Sequence, residues 1–106
     1  MDMKEFSIRL EAYLAGVREK INAVYAKNYP NLTPPTVEIN DGMRYVKVIT
    51  VGSGSRSVHT FVDKTNGNIL KAASWKKVEP KNPRGNLFDS DFGLSGVTDH
   101  GAVYLI

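Results

Sequence analysis

The chain has no cysteine, and that one absence removes disulfides, thiolate metal sites and a cysteine nucleophile together. It suits a reducing compartment, so the cytoplasm is the expected location. Also missing is any apolar run approaching the roughly 20 residues of a membrane span. The start, Met1 to Leu10, is charged and lacks the apolar centre of a secretory signal. Neither export nor membrane insertion is expected.

Histidine is scarce. His59 and His100 fall in an expected strand and in a glycine-flanked loop, with no second ligand at metal-binding spacing, so neither a metal nor a cofactor is expected. A phosphoesterase built on two His-x-Ser/Thr repeats is excluded as well. His59 is followed directly by Thr60, and His100 by Gly101 and Ala102. Gly52-Ser53-Gly54 lies between strands and lacks the following helix that would aim its amides at phosphate, so it reads as a hairpin tip. Asp89, Asp91 and Asp99 match no calcium-loop spacing and read as solvated turn residues, with Arg84 or Lys81 as possible partners. With no nucleophile placed beside a base, no catalysis is expected.

What is present fits one small domain. At 106 residues, 42% hydrophobic and 24% charged, the chain can bury one modest core and no more, so residues 1–106 are read as a single α+β domain. Phe6, Leu10, Tyr13, Leu14, Val17, Ile21 and Val24 recur at spacings of three and four. That is one stripe of an amphipathic helix from about Met3 to Ala26. Asp2 and Glu5 have capping-box spacing, and Asn28-Tyr29-Pro30 supplies the stop.

Beyond the stiff Thr33-Pro34-Pro35 connector the period changes to two. Thr36 to Asn40, with Val37 and Ile39 inward, leads to the turn signal Asp41-Gly42. The strands Met43 to Val51, Arg56 to Asp63 and Asn68 to Ser74 follow, the last after Asn66-Gly67, which marks a two-residue turn or the end of a longer loop. Short connections make neighbours antiparallel, and one apolar face needs the helix as cover. The expected architecture is an N-terminal helix on a curved antiparallel meander of four strands, with Ala102 to Ile106 as a possible fifth. A long C-terminal loop region punctuated by proline and glycine separates the fifth from the rest.

A loop of about 25 residues in a compact domain is usually functional, and this one carries local charge. The net charge is only +3, yet Lys71, Lys76, Lys77, Lys81 and Arg84 face a single acid, Glu79. Lys71-Ala-Ala-Ser-Trp-Lys-Lys77 and Lys81-Asn-Pro-Arg-Gly-Asn86 combine cations for phosphate, an aromatic face for a base and amides for base edges. Arg84 offers a bidentate fork, and Lys71 and Lys76 offer point charges. Trp75 offers a stacking surface at about 1–3 kcal/mol per base. Gly85 allows close amide approach, Asn86 both donates and accepts, and the small residues Ala72, Ala73 and Ser74 leave a concavity. Against this stands the plainer reading of Trp75 as a core or subunit-contact residue beside solvating lysines.

Phe61-Val-Asp-Lys-Thr-Asn-Gly-Asn-Ile-Leu-Lys-Ala-Ala-Ser-Trp-Lys76, Arg84-Gly-Asn-Leu-Phe88 and Gly101-Ala-Val-Tyr-Leu105, with Asn28 to Thr33 and Tyr45 to Val48, resemble a widespread family of small tailed-phage proteins. That family in turn resembles the anti-CBASS sponges, which bind a cyclic dinucleotide alarm signal without cleaving it. The resemblance implies a homo-oligomeric phage immune-evasion protein in the cytoplasm of the infected host cell, with a nucleotide second messenger as its partner. It places ligand contacts at Lys71, Ser74, Trp75, Lys76, Arg84, Gly85 and Asn86, and secondarily at Tyr45 and Thr98. Lys77-Val-Glu-Pro80 departs from the Ala-Pro-rich stretch expected after the aromatic–lysine pair. The competing readings are a single-stranded nucleic-acid binder and a protein inhibitor of a host enzyme.

Overall fold

A computed structural model of the protein describes residues 2–103. Helix α1 spans Met3–Asn28. Its start is fixed by Asp2, whose carboxylate accepts from the Lys4 amide at 2.9 Å. Glu5 does not complete a reciprocal box, because its carboxylate is taken by Arg9 one turn on, at 2.8 Å. The helix ends where the Tyr29 amide donates to the Tyr25 carbonyl, just before Pro30 forbids continuation.

The strands are β1 Thr36–Asp41, β2 Tyr45–Gly52, β3 Ser55–Asp63, β4 Asn68–Leu70 and β5 Gly85–Asn86. They form one open antiparallel sheet in sequential order. The fold is therefore the expected α+β meander under one helix. The Phe6, Leu10, Tyr13, Leu14, Val17 and Ile21 stripe packs on Val37, Val46, Val48, Val62 and Ile69 from the sheet, with Leu87 and Val97 from the C-terminal region. Each such side chain removed from water contributes about 1.5–3 kcal/mol.

Three local expectations are corrected, and at Asn66-Gly67 the longer loop is the alternative formed. Ile39 shares a face with Val37 but stays 43% exposed, because it sits towards the far end of an edge strand. Gly67 ends the longer of the two expected connections by donating to the Asp63 carbonyl. β4 stops at Leu70, not Ser74, since Ala72 turns away to bridge Val78. The fifth strand is Gly85–Asn86, paired with β4. Ala102 only bridges Val97, and 104–106 lie outside the described residues.

The C-terminal region is stitched to the rest at close range. A side chain on Gly96 would collide with the Arg84 carbonyl, and one on Gly85 would lie 2.9 Å from the Gly93 carbonyl oxygen. Asp91 caps the short 3-10 turn Leu94–Gly96 by accepting from the amides of Gly93 and Ser95. Asp89 accepts from the Asn86 amide. These carboxylates hold turns; their described bonds go to backbone amides rather than to Arg84 or Lys81.

Candidate functional site

The register of β2 and β3 breaks between Val48 and Ile49: Val48 faces Thr60 and Ile49 faces Val58, leaving His59 as the extra residue of a β-bulge. A bulge re-aims a side chain and bends its strand. Here it turns the imidazole towards the Thr98 loop, where Nε2 lies 2.8 Å from the Thr98 carbonyl oxygen. The main chain at the bulge presses on the same loop, since a Cβ on Gly101, at φ +145°, would lie 2.7 Å from the His59 carbonyl oxygen. Only glycine fits there.

The hydrogen-bond polarity through His59 is determined. The Thr98 carbonyl can only accept, so neutral His59 carries its proton on Nε2 and leaves Nδ1 as acceptor. Nδ1 lies 3.0 Å from Thr60 Oγ1, which must donate to it. Tyr13 then donates to Thr60 Oγ1 at 2.7 Å. A directed chain thus runs from the helix core to the surface loop. Burial, above all, pushes the imidazole below its ordinary value, outweighing the raising effect of the Thr98 carbonyl and Asp99, while His100 and Lys20 lower it further. Burial likewise pushes the Tyr13 phenol up, so it stays a donor.

In front of this chain lies a cleft of about 500 Å³, within the ~300–1,000 Å³ of small-molecule sites. Val58 and His59, the hairpin base Lys71 and Ala72, and the segment Thr98 to Val103 with His100 at its rim form its walls. Small residues keep it open. Lys71 brings a cation, 3.9 Å from Glu79. His100 is exposed and lies 3.3 Å from Asp99.

Residues 71–79 form a hairpin: Ala73 donates to Lys77, Glu79 to Lys71, and the Lys77 amide closes the Ser74–Lys77 turn. Trp75 and Lys76 occupy its tip. Trp75 is 41% exposed, and Lys47 Nζ sits 4.4 Å from its ring centre. Lys47 also lies 6.0 Å from the Phe61 ring, and Phe61 meets Tyr45 edge-on at 6.1 Å. The register sets Tyr45, Lys47 and Phe61 opposite Val46, Val48 and Val62, hence on the sheet face away from the helix.

The nine residues singled out in the sequence therefore separate into three places. Lys71 and Thr98 line the cleft. Ser74, Trp75 and Lys76 sit at the hairpin tip, and Trp75 and Tyr45 belong to the aromatic row on the outer face. Arg84, Gly85 and Asn86 are architectural. The Arg84 side chain is 4% exposed and donates to the carbonyls of Val103, Lys81 and Asn82. Asn86 donates to Asn66 and Asn68 and accepts from the Phe88 amide, while Gly85 pairs with Ile69 against Gly93. The Arg-Gly-Asn segment thus braces the loops and does not reach the cleft.

Residues 2–103 match DUF7717, described as a family of unknown function. The chain belongs to this family. No curated protein and no solved structure matches it. In this DUF7717 chain the residues that sequence reasoning missed are His59, Lys47 and Gly101. In sequence His59 has neither a metal-ligand partner nor a His-x-Ser/Thr repeat, so its hydrogen-bonding role carries no signal there. A β-bulge and a back-to-back loop contact leave no spacing signal. Among the described residues, no three His, Asp or Glu side chains gather as a metal site requires, and no helix is long and apolar enough to cross a membrane.

Proposed function

We propose that the protein binds a compact phosphorylated ligand of the cyclic dinucleotide class in the cleft beside His59 and withholds it without cleaving it. On the resemblance to tailed-phage proteins, this is immune evasion by sequestration in the infected host cell, carried out by a homo-oligomer. The observation that carries the reading is the meeting of Lys71 and Thr98, distant in sequence, on a cleft of about 500 Å³ lined by small residues. Lys71 supplies charge for phosphate, and the exposed His100 imidazole supplies a polar contact at the rim, while the Thr98 hydroxyl shapes the turn by bonding Gly101 and His100.

Binding without turnover fits the chemistry of this wall. The hydroxyl that does meet an imidazole, that of Thr60 on His59, is fully buried behind the cleft and cannot reach a substrate. A stoichiometric binder needs about nanomolar affinity, roughly 12 kcal/mol. Thermal shift with a panel of cyclic dinucleotides tests the reading, because a ligand of the folded state raises the melting temperature. A saturable shift that Lys71→Ala abolishes supports it, and no shift with any member refutes it.

The aromatic row favours a second reading. Tyr45 and Trp75, with Lys47 between them over the buried Phe61, present stacking faces and a cation on one sheet face, as a single-stranded nucleic-acid groove does. Such binding weakens log-linearly with salt, whereas a two-phosphate ligand in the cleft loses less.

A further inference from the structure

We infer that His59 is the latch of the cleft: it holds the Thr98–Gly101 turn in place, and its protonation frees that turn, so that the cleft is closed and firm when His59 is neutral and loosened in acid. This regulation rests on the cleft reading for its ligand consequence alone; the latch itself is a property of the unliganded chain.

The geometry clasps the turn from two sides. His59 Nε2 donates to the Thr98 carbonyl, and the His59 carbonyl packs against Gly101, where any side chain would collide. Between these contacts the turn is closed by the Thr98 amide donating to Gly101 O at 2.7 Å, and it is followed by Val103 donating to Gly96 O at 3.0 Å. The Thr98–Gly101 turn is therefore held by His59 on two sides, while the chain beyond it is held separately by Arg84 and Gly96 at Val103; the bulge that exposes His59 to the turn exists only because β3 has one residue more than β2 across from it.

Protonation disturbs this arrangement through hydrogen-bond accounting. Nδ1 would become a donor towards Thr60 Oγ1, which already accepts from Tyr13. Two donors would then face one hydroxyl, and the Thr60 proton would lose its acceptor inside the core. An unpaired buried polar group of this kind is costly. The titratable groups around the ring are Tyr13, which stays neutral, and Lys20 from the helix, and Asp99 and His100 from the loop. Asp99 and the Thr98 carbonyl both favour the cation, but burial of the ring outweighs them. Moving the turn out towards water is the way the cation recovers hydration.

The test is amide hydrogen exchange on the full chain at about pH 7.5 and about pH 5, corrected for intrinsic exchange, alongside nitrogen-15 shifts of the His59 ring. Nitrogen-15 shifts at the higher pH should report a proton on Nε2 and a bare Nδ1. Protection of the Thr98 and Val103 amides should fall by about tenfold or more as His59 protonates, a factor of ten corresponding to one pH unit of linkage. His59→Gln keeps a donor for Thr98 but does not titrate, and should make protection independent of pH, while His100→Asn should leave the dependence in place.

A proton found on Nδ1, unchanged protection while the ring becomes charged, or loss of the dependence in His100→Asn would each overturn the latch. The ring shifts and the wild-type exchange decide the matter even if His59→Gln folds poorly. Cyclic di-AMP affinity over the same pH range is a separate arm. A drop in parallel with protection supports acid release, and an affinity that ignores the loosened turn overturns it. If cyclic di-AMP fails to bind at either pH, the ligand assignment falls, and the exchange data still judge the latch.

Discussion

The Arg84 guanidinium donates from Nε to the Val103 carbonyl at 3.1 Å, tying the start of β5 to the segment that walls the cleft. With Nη1 on the Asn82 carbonyl at 2.6 Å and the side chain almost wholly covered, Arg84 fixes its own loop and ties it to the Val103 stretch. Arg84→Ala should therefore lower unfolding free energy by about 1–3 kcal/mol, as expected when a covered charged donor and its hydrogen bonds, one of them to the half-buried Val103 carbonyl, are removed. Arg84→Lys should recover only part, because an ammonium cannot reproduce the fork. Urea unfolding of the three proteins measures this.

Trp75→Ala should behave in the opposite way. The ring stands at a hairpin tip and its described ring contact is Lys47, an exposed cation–π pair of about 0.5–1 kcal/mol. The melting temperature should change little. A large loss of stability would restore the core reading of the tryptophan.

Gly96→Ala should be among the most damaging single changes in the chain. The added methyl would meet the Arg84 carbonyl, a backbone atom that cannot swing away. Overpacking of this kind costs about 1–3 kcal/mol. Thermal unfolding beside wild type checks it, with Gly54→Ala as comparison: nothing lies near a Cβ there, so only the backbone strain of φ +77° is felt.

Tyr13→Phe leaves Thr60 Oγ1 without its donor in the core and should cost about 1–2 kcal/mol. Because Tyr13, Thr60 and His59 form one chain, Tyr13→Phe and Thr60→Val should be non-additive, and a double-mutant cycle reads the coupling.

Two acid steps should appear in the pH dependence of stability. His59 is held below its ordinary value of 6.5. The unfolded chain therefore takes up the proton first, and stability falls as pH drops below about 6.5 towards the folded value. Asp63 is opposed by burial, but Thr65 through its hydroxyl and amide, and then Arg44, outweigh burial and hold the carboxyl below its ordinary value of 3.8. Its contribution is present above 3.8 and is lost as pH falls through the still lower folded value. Unfolding free energy against pH should show both steps. His59→Gln should remove the upper one and Asp63→Asn should diminish the lower.

The parts legible in sequence were those written in periodicity. The Phe6 to Ile21 stripe gave the helix, the apolar runs bounded by Asp41-Gly42 and Asn66-Gly67 gave the strands, and the short connections gave their order. Pairings that depend on two distant backbones meeting were hidden. Gly85–Asn86 reads as loop because two residues carry no period, yet it is the edge strand on β4. Lys71, chosen for its charge, and Thr98, given only by the family resemblance, do line one cleft. Arg84, Gly85 and Asn86 were chosen for their chemistry and do not, because a cation among glycines looks alike whether it faces phosphate or backbone carbonyls. His59 gave no signal at all, its role depending on a bulge.

The cleft as binding site is tested most directly by mapping amide chemical-shift changes during titration with a panel of cyclic dinucleotides. The account predicts saturable changes gathered on Lys71, Ala72 and Thr98 to Ala102, absent in Lys71→Ala. Changes confined to Tyr45, Lys47 and Trp75, or none with any member of the panel, would contradict it.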